Sequence, residues 1–158
     1  MEIGVLETIF GYSVAFFIFQ PLNVFIHELG HAFFVKIYGG TIQKIEIGIG
    51  EHLFRIGKVQ INKQFFIMGL CRYDIDSSNL NKFRLAFIAL GGVIFNLMTI
   101  LLLIAIKLYT DHHHFLDGYF FGFTGVLILS ALIPVTYPTG YDSDGRWLIN
   151  ILKEDPHL

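Results

Sequence analysis

Three long stretches of this chain contain no Asp, Glu, Lys or Arg: residues 8 to 27, 85 to 106 and 118 to 141, of 20, 22 and 24 residues. A helix needs about 20 apolar residues to cross the hydrocarbon core of a bilayer, so each stretch is long enough to span one. Only 15% of the 158 residues are charged and 54% are hydrophobic, 17 of them phenylalanine, whereas a soluble domain carries about a quarter charged residues. The chain therefore reads as an α-helical polytopic membrane protein of a single domain, 1–158, with three transmembrane helices at about 5–38, 83–109 and 115–134. A net charge of −2, with no helix-turn-helix or zinc-finger spacing, argues against nucleic acid as a partner. The single cysteine, Cys71, can build neither an intrachain disulfide nor a Cys-rich zinc knot.

The first stretch follows Glu2 and Glu7 and lacks the cationic start and small-residue cleavage site of a secretory signal, so it is expected to be retained as a span. Eight of the eleven Lys and Arg residues lie between the first and second stretches: Lys36, Lys44, Arg55, Lys58, Lys63, Arg72, Lys82 and Arg84. The positive-inside rule then predicts residues 41–82 and the C-terminus in the cytoplasm and the N-terminus outside. The polar turn Thr110 to His114 is expected outside, and Arg146 and Lys153 near the cytoplasmic end of the third span.

Within the charged segment, Ile45, Ile47 and Ile49 alternate with Glu46 and Gly48, and Val59 and Ile61 alternate with Gln60 and Asn62. Period-two alternation is a strand signal. It predicts a small cytoplasmic β-sheet or hairpin insertion over 41–73, of two to four short strands, with turns near Gly50 and Gly57. Asp76 to Asn79 reads as a turn, with Ser78 or Asn79 a candidate cap for the second span. Gly91-Gly92 and Gly118-x-x-x-Gly122 are small enough to let helices approach closely.

Inside the first span stands His27-Glu28-Leu29-Gly30-His31. In the H-E-x-x-H pattern, histidines four apart on a helix point to one side and hold zinc while the glutamate activates water. Three ionisable groups in a spanning helix are costly unless paired or functional, which favours a site over chance. A catalytic zinc ion takes three protein ligands and leaves a fourth position for water. The candidates for the third ligand are Asp142 and Asp144. Both follow Pro134, Pro138 and Gly140, which should break the third helix and leave a broken segment and short helix over 134–153. Irregular backbone at membrane depth is tolerated where it lines a cavity, so either carboxylate is suitably carried.

These motifs resemble those of the site-2 protease family, the intramembrane zinc metalloproteases (peptidase M50-like), in a small bacterial-type member. His27-Glu28-Leu29-Gly30-His31 is similar to the family's first motif, Gly91-Gly92-Val93-Ile94-Phe95-Asn96 to its Gly-Pro-x-x-Asn element, and Asp144-Gly145 to its Asp-Gly ligand motif. The departures are Val93 in the place of a common proline, Ala131 in that of an asparagine and Ser143 in that of a leucine. The resemblance implies one Zn²⁺ per chain held by His27, His31 and Asp144, with Glu28 as general base. It also implies a multi-pass protein of a bacterial-type cell membrane that cleaves a single-span, membrane-anchored substrate.

Depth supports grouping Asn96 with these residues. At a rise of about 1.5 Å per residue, His27 lies about 16 Å from the helix end at Tyr38, and Asn96 about 18 Å from Arg84. At matching depth Asn96 is expected to serve catalysis, either by donating to the substrate carbonyl or by holding a ligand. An alternative function is a non-catalytic zinc-binding scaffold or chaperone, but such a protein has no need of Glu28. A transporter would show paired, pseudosymmetric broken spans, which three unequal stretches do not.

Overall fold

The computed structural model describes residues 4–111 and 113–153; His112, in the expected outer turn, lies outside them. A continuous helical rod of 33 residues, Val5–Ile37, opens the fold. It comprises α1 (Val5–Val14) and α2 (Gln20–Ile37), joined by a wider π turn at Ala15–Phe19. Pro21 accounts for the wide turn, because it has no N–H for the carbonyl one turn back and the rod must loosen to pass it.

A β-hairpin follows, β1 (Thr41–Ile56) and β2 (Val59–Asp74), then α3 (Lys82–Thr110), α4 (Asp117–Leu132) and α5 (Asp144–Lys153). Asn81 caps α3, its side chain accepting from the Arg84 N–H at 2.9 Å. The expected cap at Ser78 or Asn79 is corrected: those residues form a separate short turn capped by Asp76.

The rod and α3 are long and apolar enough to cross a membrane. The third helix appears in its expected place, but its 16 residues reach about 24 Å, short of the roughly 30 Å hydrocarbon core. Pro134 ends α4 by holding Ile133 in extended backbone (φ −64°, ψ 123°), the conformation that a residue before proline prefers. Large apolar side chains on these helices face outward, including Leu6, Leu101, Leu108 and Val126. Apolar surface on that scale is unusual in water and usual against lipid.

Glycine sets the distance between α2 and α3. A β-carbon on Gly91 would lie 2.6 Å from the Gly30 carbonyl oxygen, and one on Gly30 would overlap the Gly91 carbonyl. The close approach expected at Gly91-Gly92 is therefore realised. Gly118 and Gly122 instead border open space and pack no helix among the described residues.

Two long strands replace the expected short ones, but bends divide them. Ile45 pairs with Cys71 along one edge and with Val59 along the other, and Ile56 pairs back to Val59. The hairpin therefore curls so that residues 41–47 lie between 69–74 and 59–61. Gly48 and Gly50, at φ 84° and 88°, supply a left-handed conformation that other residues rarely adopt. Ile42, Ile45 and Ile47 of β1 pack with Val24 and Val35 of α2 and Ile88 of α3 in one core. This core seats the sheet on the helices and lays β2 beside α2.

Candidate metal centre

One turn apart on α2, His27 and His31 share a face, with ring centroids 4.9 Å apart. Both are buried, as is Glu28 between them, and the ligand atoms of the three lie within 4.8 Å of one another. Asp144 arrives from the other end of the chain. Its Oδ2 is 3.0 Å from His27 Nε2 and its Oδ1 3.5 Å from His31 Nε2.

The protons in this cluster can be counted. His31 Nδ1 is 2.7 Å from the Ile88 carbonyl oxygen, which can only accept, so Nδ1 carries the hydrogen and a neutral ring keeps its lone pair on Nε2. Asp144 Oδ2 is buried and accepts no hydrogen bond among the described residues despite its closeness to His27. The contact has ion-pair distance without hydrogen-bond geometry. Imidazole nitrogens and a carboxylate thus converge with a second carboxylate alongside and no Lys or Arg in ion-pair contact with Asp144 among the described residues. Two histidines, one aspartate and adjoining open space suit a catalytic zinc ion, which takes three protein ligands of these types.

Glu28 is seated against β2. A β-carbon on Gly69 would lie 2.6 Å from both Cγ and Oε1 of Glu28, so only glycine leaves room for that carboxylate. The Cys71 backbone N–H also bonds to it. Burial, reinforced by the charge of Glu28, pushes the Cys71 thiol up to about 12. At neutral pH it is protonated and is no nucleophile.

Asp142, the alternative ligand, is otherwise engaged: Thr136 Oγ1 donates to it at 2.5 Å and Asn150 Nδ2 at 3.1 Å. Between the two aspartates, Ser143 is a hub. Its hydroxyl donates to the Ile133 carbonyl at 2.6 Å and accepts from the N–H groups of Val135 (3.1 Å) and Arg146 (3.2 Å). This arrangement caps α5 and ties its first residue, Asp144, to the end of α4. Gly145 completes the join, its Cα pressed so close to the Leu132 carbonyl that a β-carbon would overlap it.

Asn96 of α3 is fully buried, its Nδ2 3.5 Å from His27 Nδ1. The structure thus brings His27, Glu28, His31, Asn96 and Asp144 into one neighbourhood. It adds residues that sequence reasoning missed: Gly69, Asn23 and the hub role of Ser143. Asn23 is a fully buried amide with no hydrogen-bond partner among the described residues, and its place one turn before His27 was a legible signal. Gly69 had none, because its importance lies in a contact across the fold. A cleft of about 500 Å³ opens on the cluster between α2, β2, α4 and α5, its walls including Met68, Leu70, Leu127, Tyr137 and Trp147.

Two comparisons bear on this site. The sequence profile of peptidase family M50 matches residues 15–139, a span that holds His27, Glu28, His31 and Asn96 but stops before Asp144. A protein of Bacillus subtilis (strain 168), described as "Uncharacterized membrane protein YwmF", is 35% identical over 146 residues, covering 88% of this chain and 87% of its own length.

Proposed function

The chain belongs to peptidase family M50, and from that premise we propose that it is an intramembrane zinc endopeptidase acting on a membrane-anchored protein. The observation that carries this is the convergence of His27, His31 and Asp144 on one point, with Glu28 beside the two histidines and seated against Gly69 of β2. A zinc ion bound by those three residues supplies Lewis acidity toward water and toward the scissile carbonyl. Glu28 takes a proton from the water as its oxygen bonds to the carbonyl carbon. The same proton passes to the amide nitrogen as the C–N bond breaks.

The substrate has to be extended before its carbonyl can enter. Residues 69–74 pair with β1 along one edge, and Gly69, Leu70 and Cys71 line the cleft. Their other edge is suited to receive a single-span substrate by strand addition. In the proposed topology the N-terminus is outside, the hairpin and C-terminus are cytoplasmic, and α4, the turn 133–143 that doubles back at its end and α5 together make the third crossing. The whole chain acts as one protease domain.

Co-expression with candidate single-span substrates tests this reading. Glu28→Gln should retain zinc, measured by metal analysis of purified protein, and lose cleavage by about 100-fold or more, the usual size of general-base catalysis. Cleavage by Glu28→Gln at the wild-type rate would refute the mechanism, and a zinc-free, inactive wild type would refute the function.

A further inference from the structure

The two histidines of the centre differ in what holds the nitrogen turned away from Asp144. For His31 it is the Ile88 carbonyl oxygen, at 2.7 Å. For His27 it is the Asn96 amide, with Nδ2 placed 3.5 Å from Nδ1. If that amide donated to Nδ1, the proton of a neutral ring would sit on Nε2, the nitrogen facing Asp144. That tautomer has no lone pair on Nε2 to offer a metal.

The nitrogen and oxygen ends of an amide have nearly the same shape, so the hydrogen-bond network decides which end faces a neighbour. With the nitrogen toward His27, Asn96 Oδ1 has no hydrogen-bond partner among the described residues, so no other bond fixes which end of the amide faces the ring. Turning the amide by half a rotation places Oδ1 against Nδ1 instead. The oxygen then accepts from an Nδ1–H, and Nε2 is left with its lone pair, as on His31.

We propose that Asn96 is a positioning residue whose side-chain oxygen accepts the His27 Nδ1 proton, fixing the tautomer and ring angle that present Nε2 to the metal. The assignment rests on the reading of this site as a metal centre. It separates Asn96 from the role of a donor to the substrate carbonyl, since its acceptor faces the ligand ring. Gly92 supports the arrangement: a β-carbon there would overlap the His27 ring, so the ring is held between the backbone of α3 and the Asn96 amide. A partner at the far nitrogen of a metal-bound histidine commonly contributes about 10- to 100-fold in metal affinity.

The test uses the full chain in detergent, with nitrogen-15 NMR of the histidine rings in metal-free protein and Co²⁺ titration against a competing chelator. Wild-type His27 should be the Nδ1–H tautomer. Asn96→Asp, which keeps an acceptor, should bind Co²⁺ at least as tightly as wild type. Asn96→Leu, which removes it, should shift His27 toward the Nε2–H form and weaken Co²⁺ binding by about 10- to 100-fold. An Nε2–H tautomer in wild type, or unchanged affinity in Asn96→Leu, overturns the proposal. The wild-type measurement needs no variant to fold. Failure of wild type to bind Co²⁺ at all overturns the metal reading itself, which distinguishes the two failures.

Discussion

Gly30 of α2 and Gly91 of α3 touch backbone to backbone, each leaving no room for a β-carbon on the other. This contact holds the two helices at the spacing that puts His31 against the Ile88 carbonyl and His27 against Gly92 and Asn96. The candidate metal centre is therefore built on a pair of missing side chains.

Adding a methyl group at this contact should force the helices apart. Gly30→Ala and Gly91→Ala are each expected to cost about 1–3 kcal/mol or more, the range for overpacking, read as a lower thermal midpoint in detergent together with weaker metal binding. Gly118→Ala, whose β-carbon would meet nothing within 4 Å among the described residues, should leave both unchanged. Equal tolerance at all three positions would show that the contact does not set the spacing.

Asp144 and Asp142 are separated by one residue and should respond oppositely. Asp144→Asn removes a charged oxygen lying between the two histidines and is expected to abolish zinc retention and cleavage. Asp142→Asn disturbs bonds to Thr136 and Asn150 and should keep zinc. Metal analysis of the two purified variants decides; loss of zinc in Asp142→Asn alone would reverse the ligand assignment.

Ser143→Ala should lower stability by about 0.5–2 kcal/mol, as for loss of a helix cap. It should also weaken metal binding, because the hydroxyl that ties Asp144 to Ile133 and Val135 is gone. Chelator competition and thermal unfolding measure the two effects separately. An unchanged metal affinity would restrict Ser143 to helix capping.

The hairpin should carry a pH dependence through Glu46. Against the opposing effect of burial, hydrogen bonds and charge from Lys44 and Arg72 hold its carboxyl below the ordinary 4.5. A carboxyl whose folded value is depressed adds stability above its unfolded value and loses it as pH falls through the folded one. The thermal midpoint of wild type should therefore fall below about pH 4.5 by more than that of Glu46→Gln. Parallel curves for the two proteins would rule out this contribution.

The first motif was legible because its geometry is local. Two histidines four residues apart share a helix face wherever the helix lies, and a helix that apolar has few settings other than a bilayer. The strand alternation of residues 45–49 and 59–62 and the break after Pro134 were legible for the same reason. The length of α4 was not: an uncharged stretch counts loop and helix alike, and only the backbone separates Leu132 from the turn beyond it.

From the sequence alone came the apolar helices, the hairpin between them and the His27, Glu28 and His31 triplet, each dictated by periodicity, charge and backbone propensity over a few neighbouring residues. The Asp-Gly resemblance pointed to Asp144 and helix depth grouped Asn96 with His27, but only the tertiary structure gives the distances at which they meet and shows that Gly69 makes room for Glu28. Those relations join elements far apart in the chain, and helix packing at glycine contacts and a serine-capped turn set their distances. No local pattern encodes such distances, because they exist only once the elements have packed.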